Sequence, residues 1–466
     1  MEFLAAILFL VLYFVRPQDW VPGLEGLNVI KPIIAMGVVG LISRERRVPR
    51  WRWMSTPHEW VMIAYVLHGV YLDPVWDEAF SAVFPVVGFF FLTSQALNTE
   101  ERLDKYFLWW AGCVTLMCVI GELTDMGIDI TKARDYVDRN LGRLCLNTYL
   151  LNNPNAMGHT AATAFPLVFF ALVFRRDIGA KVLAIPMFMM IGQSVVATES
   201  KGAYMSSAAA IVAALMIGRS FLVQIIVGCL LFIGGSAATS ALPRMADTTA
   251  MQLDEGIMGR ALAFDAARSL YKFGPPAGWN RFQAIIPWEG EEVEKSTHSS
   301  FVQVGADQGP VGLFLYLAVI GCALRSLLTM RTSSDVLERA RGVIFALIVG
   351  FCVSGWMINR SYHSEYFLMM GAVVAFHKLA RERKLLDAGM KLTEEDESPG
   401  GEAAASVPVF TAVPSGQGGG IEVREDERPW KKMWNRFGLI DFGIAYGLLY
   451  VVVWFWDYLI DFFVPK

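Results

Sequence analysis

Long apolar stretches recur along this 466-residue chain, and they constrain its fold more than any other feature. About 20 consecutive, mostly apolar residues are enough for a helix to cross the hydrocarbon core of a bilayer. Thirteen stretches reach or approach that length, at approximately 3–15, 29–43, 59–72, 79–97, 105–123, 156–174, 181–197, 203–217, 220–240, 300–324, 341–358, 362–377 and 438–463. The first stretch is short for a span. It lacks the basic start and the small-residue cleavage site of a signal peptide, so it is not predicted to be one.

The overall composition agrees with a chain that spans a membrane. Hydrophobic residues make up 55% of the sequence and charged residues only 18%, whereas soluble proteins of this size carry more charge. The sequence therefore predicts an all-α polytopic membrane protein with about 12–13 transmembrane helices.

The basic loops predict how these helices are oriented. Arg and Lys are concentrated in the loops at 43–53, 175–181, 325–341 and 377–384, which all fall on one side of the membrane. Because cytoplasmic loops carry an excess of Arg and Lys, this side is predicted to be cytoplasmic, together with the N-terminus. Arg16, on the outer side, is an exception, and Asp19 is near enough in sequence to offset its charge.

The chain is predicted to have three parts. Residues 1–377 form the membrane core, and its largest outer loop covers 241–299. Residues 378–429 are rich in Gly, Ser, Pro, Ala and acidic side chains, and they are predicted to be a disordered cytoplasmic linker. Residues 430–466 contain an amphipathic stretch and a last transmembrane helix, which suits either a partner-binding anchor or an appendage.

The outer loop at 241–299 is too long for a simple connection between helices. Its part from Met258 to Leu270 has the spacing of an amphipathic helix, and "GPPAGWN" after it is a turn. A long outer loop of this kind can cover a cavity between membrane helices.

Several basic side chains on the outer side are candidates for binding an anionic group. Arg260 lies on the loop helix, Lys201 stands in "ESKGAY", and Arg143 precedes the helix start "NNPN". Arg360, in "WMINRSYHSEY", is a fourth candidate. A guanidinium can clamp a phosphate through two parallel hydrogen bonds. Each of these residues is equally compatible with an ordinary place at the membrane surface or against lipid phosphates.

His298 is the strongest candidate for a catalytic group. It stands where the outer loop re-enters the membrane, in front of "SSFVQVGADQGPVGLFLYL". An imidazole accepts a proton near neutral pH, although a His at this position is also compatible with a simple helix cap. His159, one turn inside a membrane helix, is interpreted as a buried structural His. No motif for a metal, a nucleotide or a serine nucleophile is found, and nothing indicates a nucleic-acid partner.

Four blocks of the sequence, taken in order, resemble the O-antigen ligase and O-antigen polymerase superfamily. They are "NNPNAMGH", "ESKGAY", "MGRALAFDAARSLYKFGPPAGWNRF" and the loop-end His with "SSFVQVGADQGPVGLFLYL". The resemblance covers roughly residues 140–325, and the earlier membrane segments match only by hydropathy.

The resemblance implies a multi-pass glycosyltransferase of the GT-C type in a bacterial inner membrane, with its active site facing the periplasm. Such enzymes transfer a glycan from undecaprenyl diphosphate to an acceptor hydroxyl, with inversion and without a metal or other cofactor. The acceptor is a glycan, a lipid or a protein, and polysaccharide assembly proteins are expected partners. The family's general base matches His298, its essential loop Arg matches Arg260, and a further cation matches Lys201.

The chain departs from the family pattern at three points. Lys201 stands where the family usually has Arg, Ser299 stands where Asn often follows the His, and the tail after residue 377 is not usual. Two other classes of function remain open: a transporter or flippase for a lipid-linked glycan, and a scaffold of an envelope assembly complex. Within the enzymatic interpretation, the sequence does not distinguish a ligase from a polymerase.

Overall fold

The computed structural model of the chain is almost entirely helical. It describes residues 1–24, 27, 29–45, 53–174, 178–219, 255–288, 291–387 and 436–464. The helices before the large outer loop are Glu2–Leu10 with its π-helical continuation Val11–Val15, Pro17–Trp20, Ile30–Glu45, Pro57–Leu72, Trp76–Ala96, Glu100–Asp125, Arg134–Arg139, Pro154–Phe174, Ile178–Ala197 and Lys201–Met216. The later helices are Glu255–Phe273, Ser300–Thr329, Asp335–Ser354, Ser364–Asp387 and Leu439–Phe463.

The predicted all-α polytopic membrane fold is confirmed. Every predicted span that falls within the described residues is a helix, and the prediction at 220–240 lies outside them. Five of the described helices are long and apolar enough to cross a membrane by length and composition alone: Trp76–Ala96, Glu100–Asp125, Ile178–Ala197, Ser300–Thr329 and Leu439–Phe463. The protein is therefore a multi-pass membrane protein.

Helix ends that were assigned to the cytoplasmic side meet one another in the fold. Lys378 donates to a carboxylate oxygen of Glu59 at 2.7 Å, although 319 positions separate them. Nearby, the Ser326 hydroxyl lies 3.2 Å from His58 and 3.0 Å from His377. The carboxylate and the ammonium are both buried, so each compensates the other's desolvation.

Segments assigned to the outer side also meet one another, at the other ends of the helices. Arg16 donates to both carboxylate oxygens of Asp19, at 2.5 and 3.1 Å, so Asp19 offsets the charge of this outer basic residue. Arg281 of the outer loop donates to both carboxylate oxygens of Asp73, at 3.0 and 3.1 Å. This second pair anchors the loop to the start of the next membrane helix.

The outer loop contains the predicted amphipathic helix and also a β-hairpin that the sequence reading did not identify. The helix covers Glu255–Phe273 and is called the loop helix below. Strands Ala284–Trp288 and Glu291–Lys295 pair antiparallel, with Ala284 opposite Lys295 and Trp288 opposite Glu291. Ala284 and Ile286 are buried against Ala263 of the loop helix. Buried Ala284 and Ile286 alternate with exposed Ile285, as expected in a strand. Because Ile285 is also apolar, the letters of this strand do not show the alternation.

The helix Ser300–Thr329 is broken at Gly309, whose φ of 67° and ψ of −168° are not helical. Pro310 follows and has no N–H to give to the carbonyl of Ala306. That carbonyl instead accepts from the backbone N–H of Ala277 at 3.2 Å, and the Asp307 carbonyl accepts from Gly278 at 2.8 Å. The glycine and proline seen in the sequence therefore mark a real interruption, which the outer loop fills.

The C-terminal helix, Leu439–Phe463, packs along Ser300–Thr329. Gly305 makes this possible, because a Cβ at that position would lie 2.9 Å from the ring of Trp456. Toward the other end, Arg325 donates to Asp441 at 2.8 Å, and both side chains are buried. The preceding helix Ser364–Asp387 extends past residue 378, into the range that the sequence predicts to be the linker. "LARERKLL" consists of good helix formers, and residues 388–435 of the predicted disordered linker lie outside the described residues.

The packing at Gly305 gives a stability prediction. We expect Gly305→Ala to lower the free energy of unfolding by about 1–3 kcal/mol, because the added methyl group overpacks the contact with Trp456. Gly112→Ala is the matched control, since no heavy atom lies within 4 Å of its added Cβ, and it is expected to stabilise its helix by up to about 1 kcal/mol. Thermal unfolding of both variants in the same detergent measures the difference. Equal stability of the two variants would contradict this packing.

Candidate functional site

A cavity of about 480 Å³ opens where the outer ends of several helices meet the outer loop. Its wall is built from the segments around Arg143 and Asn155, the turn and helix start at 199–205, the loop helix, the connection at 354–358 and the end of the C-terminal helix. These segments are far apart in sequence, so the cavity exists only in the folded chain.

Three basic side chains predicted as candidates line this one cavity: Arg143, Lys201 and Arg260. Arg143 is held by its own hydrogen bonds, from Nε to the Thr198 carbonyl at 2.9 Å and from Nη2 to the Asn155 side chain at 3.1 Å. These two bonds leave its charge at the cavity wall. The cations come from three separate segments of the chain. Independent positions at the membrane surface would not explain why all three line one cavity.

Lys201 is the first residue of its helix, Lys201–Met216. Ser200 is the N-cap, and its hydroxyl accepts a hydrogen bond from the N–H of Ala203. A helix N-terminus carries partial positive charge and backbone N–H groups without helical partners. Gly202 allows the connection at 354–358 to approach closely, because a Cβ there would lie 2.8 Å from Met357. The helix start therefore adds to the positive potential that Lys201 provides.

One carboxylate in the cavity wall was not identified from the sequence. Glu199 lines the cavity and has a left-handed backbone, with φ of 47°. The three cations outnumber it, so the described wall carries a net positive charge. Glu199 stands in "TES" before Lys201, but no pattern in the sequence indicates that its side chain lines a cavity.

The polar floor of the cavity contains His159 and Ser354. The Nδ1 atom of His159 is hydrogen-bonded to the Ser354 hydroxyl, and its Nε2 atom lies 3.2 Å from a carboxylate oxygen of Glu365. The His159 side chain is buried, and its Nε2 lies close to Glu365 without hydrogen-bond geometry. The burial is in line with a structural His, although the residue also lines the cavity.

Another part of the cavity wall is apolar. Phe264 of the loop helix, Trp356 of the connection at 354–358, and Phe455, Leu459 and Phe463 of the C-terminal helix form it. The sequence suits an anchor or an appendage at the C-terminal helix and does not indicate that this helix lines a cavity. Among the described residues, the cavity thus combines a cationic side and an apolar side.

His298 lies beside the connection that carries part of this wall. Its neighbour Ser299 donates its hydroxyl hydrogen to the Gly355 carbonyl at 3.1 Å, and Ser300 donates to the Ile358 carbonyl at 3.0 Å. The backbone at His298 is left-handed, with φ of 49°, and the side chain is partly buried. The ring is not itself part of the cavity lining. Ser299 caps the helix Ser300–Thr329, so the cap belongs to Ser299 and not to His298.

The electrostatic environment lowers the pKa of His298 to about 4. Burial is the main cause, and the positive charges of Arg260 and Lys295 add to it. His298 therefore lies within the field of Arg260, and it is a neutral imidazole at neutral pH. A neutral imidazole has a lone pair with which to accept a proton.

Arg360 takes a different place from the other predicted cations. Its side chain is only 2% exposed, and its Nη2 donates to the carbonyl oxygen of Ala156 at 3.2 Å. It does not line the cavity but lies behind the wall, where its charge also acts on Glu365. Direct contact between Arg360 and a ligand in the cavity is therefore not supported by its position.

Comparison with known proteins connects this geometry to a family. Residues 185–317 match the family model described as O-antigen ligase. Over this range the chain resembles an O-antigen ligase domain. The resemblance to the O-antigen ligase superfamily is thus confirmed over a range that contains three of the four sequence blocks, whereas "NNPNAMGH" precedes it. It indicates O-antigen ligase-type function and a glycosyltransferase-like enzyme. No curated protein was found to match the chain.

The O-antigen ligase domain contains some, but not all, of the residues that meet at the cavity. Lys201, Arg260 and His298 fall inside the matched range. Arg143, the connection at 354–358 and the C-terminal helix fall outside it. The cavity is consequently a feature of the whole fold and not of the matched range alone.

Proposed function

We propose that the protein transfers a glycan from undecaprenyl diphosphate to an acceptor hydroxyl at the periplasmic face of the bacterial inner membrane. The observation that carries the proposal is the convergence of Arg143, Lys201 and Arg260 on one cavity with an apolar wall. A lipid-linked diphosphate has a matching division into a polyanionic head and a hydrocarbon chain. The O-antigen ligase domain supports the same reaction class.

In the proposed reaction, Arg143, Lys201 and Arg260 bind the diphosphate. As the bond between the anomeric carbon and the diphosphate oxygen breaks, the leaving group keeps the electron pair and its charge increases. Preorganised cations stabilise this developing charge more than they stabilise the ground state, and they thereby lower the barrier. Positive side chains here provide the charge that a divalent cation provides in other transferases.

His298 acts as the general base in this proposal. The acceptor hydroxyl oxygen forms the new bond to the anomeric carbon from the face opposite the diphosphate, which inverts the configuration. Its proton passes to the neutral imidazole of His298. A positioned base of this kind typically contributes about 10²–10⁴-fold to the rate. Arg360 supports the site from behind the wall, through its charge and its bond to Ala156.

The low pKa of His298 gives a prediction for the pH dependence. The free protein needs His298 unprotonated, so kcat/KM is expected to fall only as the pH approaches about 4. A bound diphosphate offsets the charge of Arg260, which is one cause of the low pKa, and so it raises the pKa of His298 in the complex. The acid limb of kcat is therefore expected at higher pH than that of kcat/KM. Coincident limbs, or the reverse order, would count against His298 as the base.

The transporter alternative predicts a different outcome in a vesicle assay. Transport requires the glycan to change sides, whereas transfer needs donor and acceptor on one side only. We expect purified protein in vesicles to glycosylate an acceptor when both substrates are supplied on the periplasmic face. Movement of the donor without any transfer would favour the transporter. A scaffold would instead retain its cellular function when His298 is replaced.

Ligase and polymerase activities are separated by the glycans of a deletion strain. Single-repeat glycans in that strain indicate lost polymerisation, and long glycans left on the lipid carrier indicate lost ligation. The cavity accommodates the donor head group in either case, because both reactions use the same class of donor.

A further inference from the structure

The C-terminal helix presents one face to the cavity and the other away from the protein. Phe455, Leu459 and Phe463 are spaced four residues apart, so they lie along one side of the helix, and all three line the cavity. Tyr450 and Trp454 lie on the other side, where 68% and 58% of their surfaces are exposed. The helix therefore separates the cavity from the surrounding bilayer.

The outer end of this helix is fixed to the loop helix by polar contacts. The Trp456 indole N–H donates to the Phe264 carbonyl at 3.0 Å. Asp457 pairs with Arg268 at 2.5 Å and with Lys272 at 3.5 Å. Phe264 and Arg260 are one turn apart on the loop helix, and both line the cavity. The apolar face of the C-terminal helix is thus fixed to the helix that carries Arg260.

The C-terminal helix and the helix Lys201–Met216 both line the cavity, but they pack on different neighbouring helices. The C-terminal helix packs on Ser300–Thr329 and on the loop helix, whereas Lys201–Met216 packs on Asp335–Ser354 and Pro154–Phe174. Met205, which lines the cavity from Lys201–Met216, is 42% exposed. Within the described residues, a hydrocarbon chain that leaves the cations would run between these helices, along Phe455 and Leu459.

We infer that Phe455, Leu459 and Phe463 bind the isoprenoid units that follow the diphosphate, so that the C-terminal helix determines which lipid carriers the protein accepts. The inference rests on the proposed function and specifies its donor site. Isoprenoid units carry methyl branches and flat double bonds, which pack well on phenyl rings and branched aliphatic side chains. Phe455 also packs edge-on against Trp356, with 4.8 Å between the ring centroids, so two aromatic rings from different segments form one apolar surface in the cavity.

Two matched donors test this inference. They carry the same glycan and diphosphate, but one has a full polyprenyl chain and the other has a methyl group in its place. Phe455→Ala and Leu459→Ala are each expected to lower kcat/KM for the polyprenyl donor by about tenfold, through lost apolar burial. The methyl-capped donor has no chain to contact the helix, so its kcat/KM is expected to stay within about twofold of the wild-type value. Tyr450→Ala, on the outer face of the same helix, is the control and should keep the wild-type ratio of the two donors.

Leu459→Trp is a second test, which remains informative if the alanine variants fail to fold. The larger ring narrows the apolar side without removing contacts, so it should impair the polyprenyl donor and spare the methyl-capped one. A wild-type donor ratio in Leu459→Trp and in both alanine variants would overturn the inference while leaving the proposed function intact. If the wild-type protein transfers neither donor, the proposed function fails, and binding of glycan-free polyprenyl diphosphate then decides the inference. Weaker binding by Phe455→Ala than by Tyr450→Ala supports it, and equal binding overturns it.

Discussion

Replacing His298 with asparagine is expected to lower kcat for glycan transfer by about 10²–10⁴-fold, while the protein still inserts and accumulates. Asparagine is the informative substitution because the backbone at His298 has a φ of 49°, a left-handed conformation that asparagine tolerates and alanine does not. His298→Ala should show the same loss of rate together with some loss of stability. Single-turnover transfer with saturating donor and acceptor measures the chemical step directly.

His68→Asn is the matched control for this experiment. His68 is partly buried and contacts the Gln308 carbonyl at 3.2 Å, but it does not line the cavity. We expect this variant to transfer at nearly the wild-type rate. Transfer by His298→Asn at the rate of the control would remove His298 as the base, and it would direct attention to the cations as the main source of catalysis.

Arg260→Ala is expected to weaken binding of the carrier-linked donor by about 10²-fold, because it removes a charge that the diphosphate would otherwise meet in a partly desolvated cavity. Arg260→Lys should recover only part of the loss, since an ammonium cannot make the two parallel hydrogen bonds of a guanidinium. The measurement is donor affinity, with acceptor omitted so that no turnover occurs.

A second measurement separates the proposed role of Arg260 from a general structural defect. The charge of Arg260 contributes to the low pKa of His298, so Arg260→Ala should raise that pKa and move the acid limb of kcat/KM to higher pH. Arg134→Ala is the control, because Arg134 is an exposed arginine of an outer segment that pairs with Asp138. Unchanged donor affinity in Arg260→Ala would refute its proposed role in binding the diphosphate.

The membrane fold was predictable because a bilayer imposes simple requirements on a sequence. Helices such as Trp76–Ala96 and Glu100–Asp125 follow from apolar length alone, and the loop charges predict their orientation. The hairpin Ala284–Trp288 with Glu291–Lys295 was overlooked because its two strands are short and one face is polar. A strand of five residues leaves a weaker pattern in a sequence than a long apolar run does.

The cationic residues were predictable by type, but their meeting was not. Arg143 reaches the cavity because Thr198 and Asn155 hold its guanidinium, and contacts over 55 and 12 positions have no local signature. Arg360 was grouped with the others by its place in an outer connection, yet the fold turns it inward to Ala156. The wall formed by Phe455 and Leu459 depends on the Gly305–Trp456 contact, which also joins distant segments.

The break at Gly309 has a mechanical consequence for the residue proposed as the base. An uninterrupted helix would use the carbonyls of Ala306 and Asp307 internally, whereas here the turn at Ala277 and Gly278 takes them. Asp307 also accepts from the N–H groups of Arg281 and Phe282, at 3.1 and 2.7 Å. The short piece before the break, which begins immediately after His298, is therefore bonded to the loop as well as to the connection at 354–358, through Ser299 and Ser300. The position of the imidazole consequently depends on the loop and on the membrane bundle together.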